Sequence, residues 1–301
     1  MNRATKMRTS FPWRGVSTRR ALPSLGLIFF ALAVASPVVA YGQLELFTNK
    51  EAQCVFAGDA RKITVAWHNA GDNTVNAEIR ARLLQTSSAT TGRLGETPWK
   101  TLQVLPQQTV LESAQLNFPA VKGETKFLVQ WLENSNSIIG RTEVLVYPTN
   151  LLDELKLLVD EGGKNLGVLD AKNQLKPALK SSAVKFVDLA ETGLDDFSGR
   201  LAIVGPCSPD DPEWNGLADR ISKLAQKGTP VVWIQSPPPK RAGIWPSFWI
   251  VPKNQNVVVV VQPELVADLP ENPQSQLNLI YFCKLALNPP PPVLPDLSPQ
   301  P

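Results

Sequence analysis

Val257-Val-Val-Val-Val261 is a run of five β-branched residues with no polar break. A half-solvated strand needs a polar residue at every second place, so this run predicts a strand with both faces buried. Working outward, Leu166-Gly-Val-Leu169, Val184-Lys-Phe-Val187, Leu201-Ala-Ile-Val204 and Val231-Val-Trp-Ile234 are short and apolar in the same way. Helical spacing fills the gaps: Leu151-Leu-Asp-Glu-Leu-Lys-Leu-Leu-Val159, then stretches near 174–181, 213–227 and 273–287. Buried strands alternating with helices predict a parallel sheet covered on both faces.

Five such strands predict a two-domain chain whose C-terminal part, 151–288, is an α/β flavodoxin-like doubly wound parallel sheet. Upstream the period is two. Ile63, Val65 and Trp67 alternate with Thr64, Ala66 and His68, Asn69-Ala-Gly-Asp-Asn73 supplies turn chemistry, and Val75, Ala77, Ile79, Ala81 and Leu83 resume the alternation. Further strands are expected at 44–48, 52–57, 98–104, 108–118, 125–133 and 138–147. That spacing predicts an all-β immunoglobulin-like sandwich over 43–148, in which Trp67 and Trp131 are core residues. Beyond Asn288-Pro-Pro-Pro-Pro292, residues 289–301 read as a proline-rich disordered tail.

The 301 residues are 43% hydrophobic and 19% charged, as in soluble globular proteins. The net charge of +3 is set by residues 1–40, which hold six of the thirty basic residues and no acid. Those six, Arg3, Lys6, Arg8, Arg14, Arg19 and Arg20, precede the apolar run Ser24-Leu-Gly-Leu-Ile-Phe-Phe-Ala-Leu-Ala-Val-Ala-Ser36 and the small residues of Val38-Val-Ala40. This is the pattern of a signal peptide over 1–40, cleaved after Ala40. The run is shorter than the roughly 20 residues a spanning helix needs. The expected location is therefore periplasmic or extracellular, with an uncleaved N-terminal anchor as the alternative. Without residues 1–40 the balance is slightly acidic, which gives no footing for nucleic acid. One His, with Cys54, Cys207 and Cys283 far apart, excludes most His- and Cys-rich metal sites, and no cofactor is expected.

In a sheet of this kind ligands sit beyond the carboxyl ends of the strands. That rule selects Asp170, Asp188, Cys207, Ser208, Asp210, Asp211, Gln235 and Gln262. Asp170-Ala-Lys-Asn173 stands where a glycine-rich phosphate loop would be, which excludes that mode of nucleotide binding.

Leu201-Ala-Ile-Val-Gly-Pro-Cys-Ser-Pro-Asp-Asp-Pro-Glu213, a following helix, and Gly228-Thr-Pro-Val-Val-Trp-Ile-Gln235 resemble the core of class I glutamine amidotransferase-like domains over roughly 164–287. In that family a cysteine nucleophile, a histidine and an orienting acid form a triad. The resemblance places Gln235 at the nucleophile, Gln262 at the histidine and Glu264 at the acid. Neutral glutamine can neither attack an amide nor carry its proton, so the resemblance implies a degenerate domain without amidotransferase activity. Two readings follow. One is a non-catalytic cell-envelope protein that binds another exported or membrane protein, with Trp245 and Trp249 on a proline-stiffened loop as the contact surface. The other is a carbohydrate-active or other hydrolase whose crevice uses Asp170, Asp188 and Glu264.

Overall fold

The computed structural model describes residues 44–47, 51–86, 90–134, 137–160, 166–207, 216–236, 246–253 and 256–290. The signal peptide expected over 1–40, Ser208, Asp210, Asp211, Trp245 and residues 291–301 of the tail lie outside them.

Alternation in the first half places one face of each strand in a shared core. Strands β1 (Leu44–Phe47), β3 (Gly58–Asn69) and β6 (Thr109–Phe118) form an antiparallel sheet in the order β1-β3-β6. Strands β2 (Gln53–Phe56), β4 (Val75–Thr86), β5 (Thr91–Val104), β7 (Thr125–Glu133) and β8 (Ser137–Tyr147) form a second, in the order β2-β8-β7-β4-β5. Ile63, Val65 and Trp67 from the first meet Ala77, Ile79, Phe127, Val129 and Trp131 from the second in one buried cluster. The rings of Trp67 and Trp131 meet edge-on at 5.5 Å, with Trp99 at 6.0 Å from the first and 5.2 Å from the second.

The second half is built on β9 (Leu166–Leu169), β10 (Phe186–Asp188), β11 (Leu201–Cys207), β12 (Val231–Gln235), β13 (Phe248–Lys253) and β14 (Asn256–Val261), in the order β10-β9-β11-β12-β14-β13. Its helices are α1 (Asp153–Asp160), α2 (Lys176–Ser181), α3 (Leu189–Thr192), α4 (Leu217–Gln226) and α5 (Pro273–Leu287). Continuous apolar strands serve two cores at once. Val257, Val259 and Val261 pack with α1, α2 and α5, whereas Val258 and Val260 pack with α3 and α4. That is why Val257–Val261 carries no polar residue.

The fold class expected from the sequence does not hold. An immunoglobulin-like sandwich and a flavodoxin-like doubly wound parallel sheet were expected, but the chain is dominated by strand, with fourteen strands and five α-helices among the described residues. Mixed sheets replace both expected types. β2 runs parallel to β8 inside an otherwise antiparallel sheet, and β13 runs antiparallel to β14 at the rim of the other. The physical reason lies in two segments. Gln53–Phe56 is followed almost at once by Gly58, whose φ of +122° turns the chain into the opposite sheet. Phe248–Lys253, read as part of a loop-rich stretch near Pro237-Pro-Pro239, alternates Phe248 and Ile250 toward one core with Trp249 and Val251 toward the other. Pro252 is tolerated because β13 is an edge strand. Helix is correspondingly scarce, α2 having six residues and α3 four.

Trp131 shows how the first core satisfies its polar atoms. Its ring is fully buried, and its indole Nε1–H donates to Thr142 Oγ1 at 2.9 Å. Thr142→Val leaves that donor without its acceptor. We expect a loss of roughly 1–3 kcal/mol, read as a lower urea midpoint with an unchanged denaturant slope.

Candidate functional site

Five parallel strands deliver their carboxyl ends to one rim of the sheet. Asp170 follows β9, Asp188 ends β10, Cys207 ends β11, Gln235 ends β12 and Gln262 follows β14. Direction alone thus gathers most of the sequence-selected residues on one side.

Asp170 is buried, with 1% of its surface exposed. Its carboxylate accepts the backbone N–H groups of Gln174 at 3.1 Å, Leu175 at 2.7 Å and Lys176 at 3.0 Å. These are donors at the start of α2, whose own N-cap residue, Leu175, has no side chain able to accept them. Asp188 caps α3 by accepting from Ala190 N–H at 3.0 Å, and its other oxygen accepts from the nearly buried Lys176 ammonium at 2.6 Å. Burial works to raise the Asp188 carboxyl. The Lys176 hydrogen bond, the Ala190 N–H and the charges of Lys176 and Lys180 outweigh it and hold the group below its ordinary range.

Beside them, β11 ends in a backbone fitted closely to β12. Gly205 has φ +109°, and a Cβ there would meet the Ile234 carbonyl oxygen at 2.2 Å, so no larger residue fits. The Gly205–Pro206 peptide is cis. The pairing register shifts after Val204 and resumes with Cys207 opposite Gln235. Cys207 is buried, its sulfur accepting from the Trp233 indole N–H at 3.1 Å and its S–H facing the Ile234 carbonyl at 3.4 Å. Trp233, on β12, thus holds the thiol in place. Gln262 donates its Nε2–H to the Pro246 carbonyl at 3.1 Å, and its backbone N–H bonds to the Ser247 carbonyl at 3.0 Å, which ties the end of β14 to the approach of β13.

Glu264 is exposed on the 3-10 turn Pro263–Val266. It faces a cleft of about 430 Å³ lined also by Gln174, Pro206 and Asp268. The carboxylates named for a hydrolase are therefore divided. Asp170 is sealed in the fold, Asp188 is paired with Lys176, and Glu264 opens on the cleft. Trp249, expected on a loop, is half-buried on β13 against the core beneath α4. Cys54 is half-buried, Cys207 and Cys283 are buried, and all three are free thiols. Burial pushes the Cys283 thiol up, and burial with the nearby Glu124 charge pushes Cys54 up, so neither is a ready thiolate.

Among the described residues no three His, Cys, Asp or Glu side chains are grouped to hold a metal, and no helix is long and apolar enough to cross a membrane. Lys176 escaped the sequence reading. A lysine six residues after one strand-end aspartate and immediately before Pro177 was the available signal, but its burial depends on how α2 lies against β10.

No protein-family model matches the chain, and no curated protein matches it. Among solved structures, Pseudomonas fluorescens alkylpurine DNA glycosylase AlkC, bound to DNA containing an abasic site analog, overlaps 36% of this chain and 31% of its own, at 10% identity and a TM-score of 0.29. The Bacillus subtilis sporulation control protein Spo0M overlaps 40% of this chain and 57% of its own, at 13% identity and 0.27. Listeria innocua β-glucosidase in complex with gluconolactone overlaps 35% and 16%, at 14% identity and 0.25. The chain thus spans from about a sixth to somewhat over half the length of these structures. Overlaps this slight define neither a fold nor an activity for it.

Asp170→Ala strands three backbone donors in the interior and is expected to cost about 2 kcal/mol or more, measured by urea unfolding. Asp170→Asn, which keeps one acceptor oxygen, should lie between. For Asp188 the expectation is a pH effect. A folded carboxyl held below the free value of about 3.9 contributes stability above that pH and loses it as pH falls through the lower folded value. Asp188→Asn should therefore be less stable than the wild type at pH 7, and the difference should close below about pH 4.

Proposed function

We propose that this chain is a non-catalytic exported protein of the cell envelope that serves as an interaction or scaffold module for another exported or membrane protein. On this reading 164–287 is a degenerate relative of the amidotransferase-like domains that Leu201–Glu213 and Gly228–Gln235 resemble. The observation that carries the proposal is the engagement of the rim residues in the fold's own bonds. Asp170 is held by three backbone donors, Asp188 by Lys176 and Ala190, Cys207 by Trp233, and Gln262 by the Pro246 carbonyl. Groups so engaged cannot move a proton or attack a substrate without first giving up structural bonds.

Export is argued from residues 1–40, whose basic start, apolar run and small-residue end are read by translocation machinery. The partner surface is assigned to the β13 edge and the segment leading into it, which carry Trp249 and Trp245. One side of β13 is bonded to β14, and its other side ends the sheet. Such an edge offers main-chain donors and acceptors to a partner strand.

Two measurements test this. Intact-mass analysis of protein recovered from its native host should give a chain beginning at Tyr41, and a full-length mass would overturn cleavage. In-cell crosslinking of tagged protein should recover one dominant envelope partner that is lost from a Trp245→Ala/Trp249→Ala strain. Trp245→Ala alone serves as the control for stability, because Trp249 is half-buried. Absence of any enriched protein in the wild type would remove the interaction reading.

A further inference from the structure

The outer face of the five-stranded sheet is marked by arginine. Ala81, Val129, Trp131 and Val144 point into the first core. Their chain neighbours Arg80 and Arg82 on β4, Gln130 on β7 and Arg141 on β8 therefore lie on the opposite face. Register sets three of these in one line with Glu96 of β5. Glu96 stands opposite Arg82, Arg82 opposite Gln130, and Gln130 opposite Arg141.

Glu96 gathers one end of this line. Its carboxylate accepts from Arg80 Nη1 at 2.9 Å, Arg82 Nε at 3.0 Å and Arg93 Nη2 at 2.8 Å. The Arg82 hydrogen bond, with the charges of Arg80, Arg82 and Arg93, outweighs desolvation and holds Glu96 below its ordinary range. Ionised, it fixes the three guanidinium groups but neutralises only one. Arg82 reaches it through Nε, so the two Nη groups of that fork remain for another acceptor.

The other end of the line takes no part in that network. Arg141 is exposed and has no carboxylate partner among the described residues, and its strand neighbour Glu143 is paired with Lys126 at 2.7 Å. Gln130, between Arg82 and Arg141, is 9% exposed, and its side-chain amide forms no hydrogen bond among the described residues. That amide is not sealed, since the fully enclosed side-chain polar atoms without a partner among those residues are Trp67 Nε1 and Gln276 Oε1. Its hydrogen-bonding capacity opens on the surface and is unused by the chain. Counting Glu78, exposed on the same face beyond Arg80, the four arginines exceed the carboxylates beside them by two charges.

We infer that this face binds a phosphate monoester group, seated over Gln130 between Arg82 and Arg141. Neighbouring strands lie about 4.8 Å apart, so two arginines with one strand between them can turn both forks onto a single anion. A carboxylate has two oxygens, which one fork occupies. A phosphate monoester has three and carries about two negative charges. It supplies acceptors for Arg82, Arg141 and the Gln130 N–H, and it cancels the excess charge. Neither the strand-end rim nor the β13 edge contributes a residue, so the site stands independently of the partner proposed above.

Such a group has two sources, a dissolved ester and a lipid headgroup, and the test separates them. Glycerol 3-phosphate is titrated by calorimetry into protein recovered from its native host. In parallel, phosphatidylcholine vesicles with and without phosphatidic acid are sedimented with the same protein. Glycerol 3-phosphate should bind saturably, and acetate should bind more weakly by roughly tenfold or more. Arg141→Gln changes an exposed side chain with no bond to lose, and it should weaken binding by roughly ten- to a hundredfold, the span of one hydrogen-bonded charge. Gln130→Met should weaken it by a smaller factor, and if that variant does not fold, Arg141→Gln still reads the site. Lys126→Gln, on the same face but outside the line, should leave binding unchanged. Arg141-dependent sedimentation with phosphatidic acid, without binding of glycerol 3-phosphate, assigns the group to a lipid, and the reverse assigns it to a dissolved ester. The inference is overturned by an absence of Arg141-dependent binding in both arms, by acetate saturating the site as tightly as glycerol 3-phosphate, or by equal losses in Arg141→Gln and Lys126→Gln.

Discussion

A single buried carboxylate organises the strand-end rim. A buried Asp170 side chain without hydrogen-bond partners would be costly, and the chain resolves this by bringing the approach to α2 onto it. The N–H groups of Gln174 and Leu175, which lead into α2, and of Lys176, its first residue, become the carboxylate's partners. Placing α2 in this way carries Lys176 to Asp188, and Asp188 in turn starts α3. One strand end, two helices and a neighbouring strand are therefore coupled through groups whose removal one at a time leaves a buried polar atom exposed to nothing.

The same economy explains why a rim at the usual ligand end of a sheet shows so little free chemistry. Asp170, Asp188 and Gln262 each have a structural task there, and the backbone adds its own restraint at Gly205, where β11 and β12 approach too closely for any Cβ. A cavity of about 420 Å³ where Arg61 of β3 meets α1, α2 and α5 is less fully bonded. There Arg61 donates to the Ala57 carbonyl, and among the described residues Gln276 Oε1 has no hydrogen-bond partner.

What was legible in the sequence depended on the range of the signal. Val257–Val261 declared a strand buried on both faces, and Ile63, Val65 and Trp67 declared one buried on a single face, because side-chain direction follows from backbone period alone. Phe248–Lys253 was not legible as a strand. It follows Pro246 and contains Pro252, downstream of the Pro237–Pro239 run, and that setting reads as loop, whereas its pairing with β14, Trp249 opposite Val260, makes it a strand. That one strand, with β2 beside β8, changed the expected sheets into mixed ones. Asp170 and Asp188 were legible as strand-end residues, but their use was not, since a cap made from five residues away depends on a measured approach of backbone donors. Arg61 and Gln276 left no signal at all, because more than two hundred positions separate them in the chain and the packing of α5 brings both to one cavity.

The β13 edge has a colloidal side as well. An open strand of Phe248, Trp249, Ile250 and Val251 is short, apolar and β-prone, the composition that recruits like strands from other molecules. Pro252 interrupts it with a residue that has no N–H to give, so an incoming copy of the chain finds an incomplete ladder. Dispersal of the folded protein at high concentration therefore hangs on one imide ring at the rim of a sheet, a gatekeeper whose value is felt only when molecules meet.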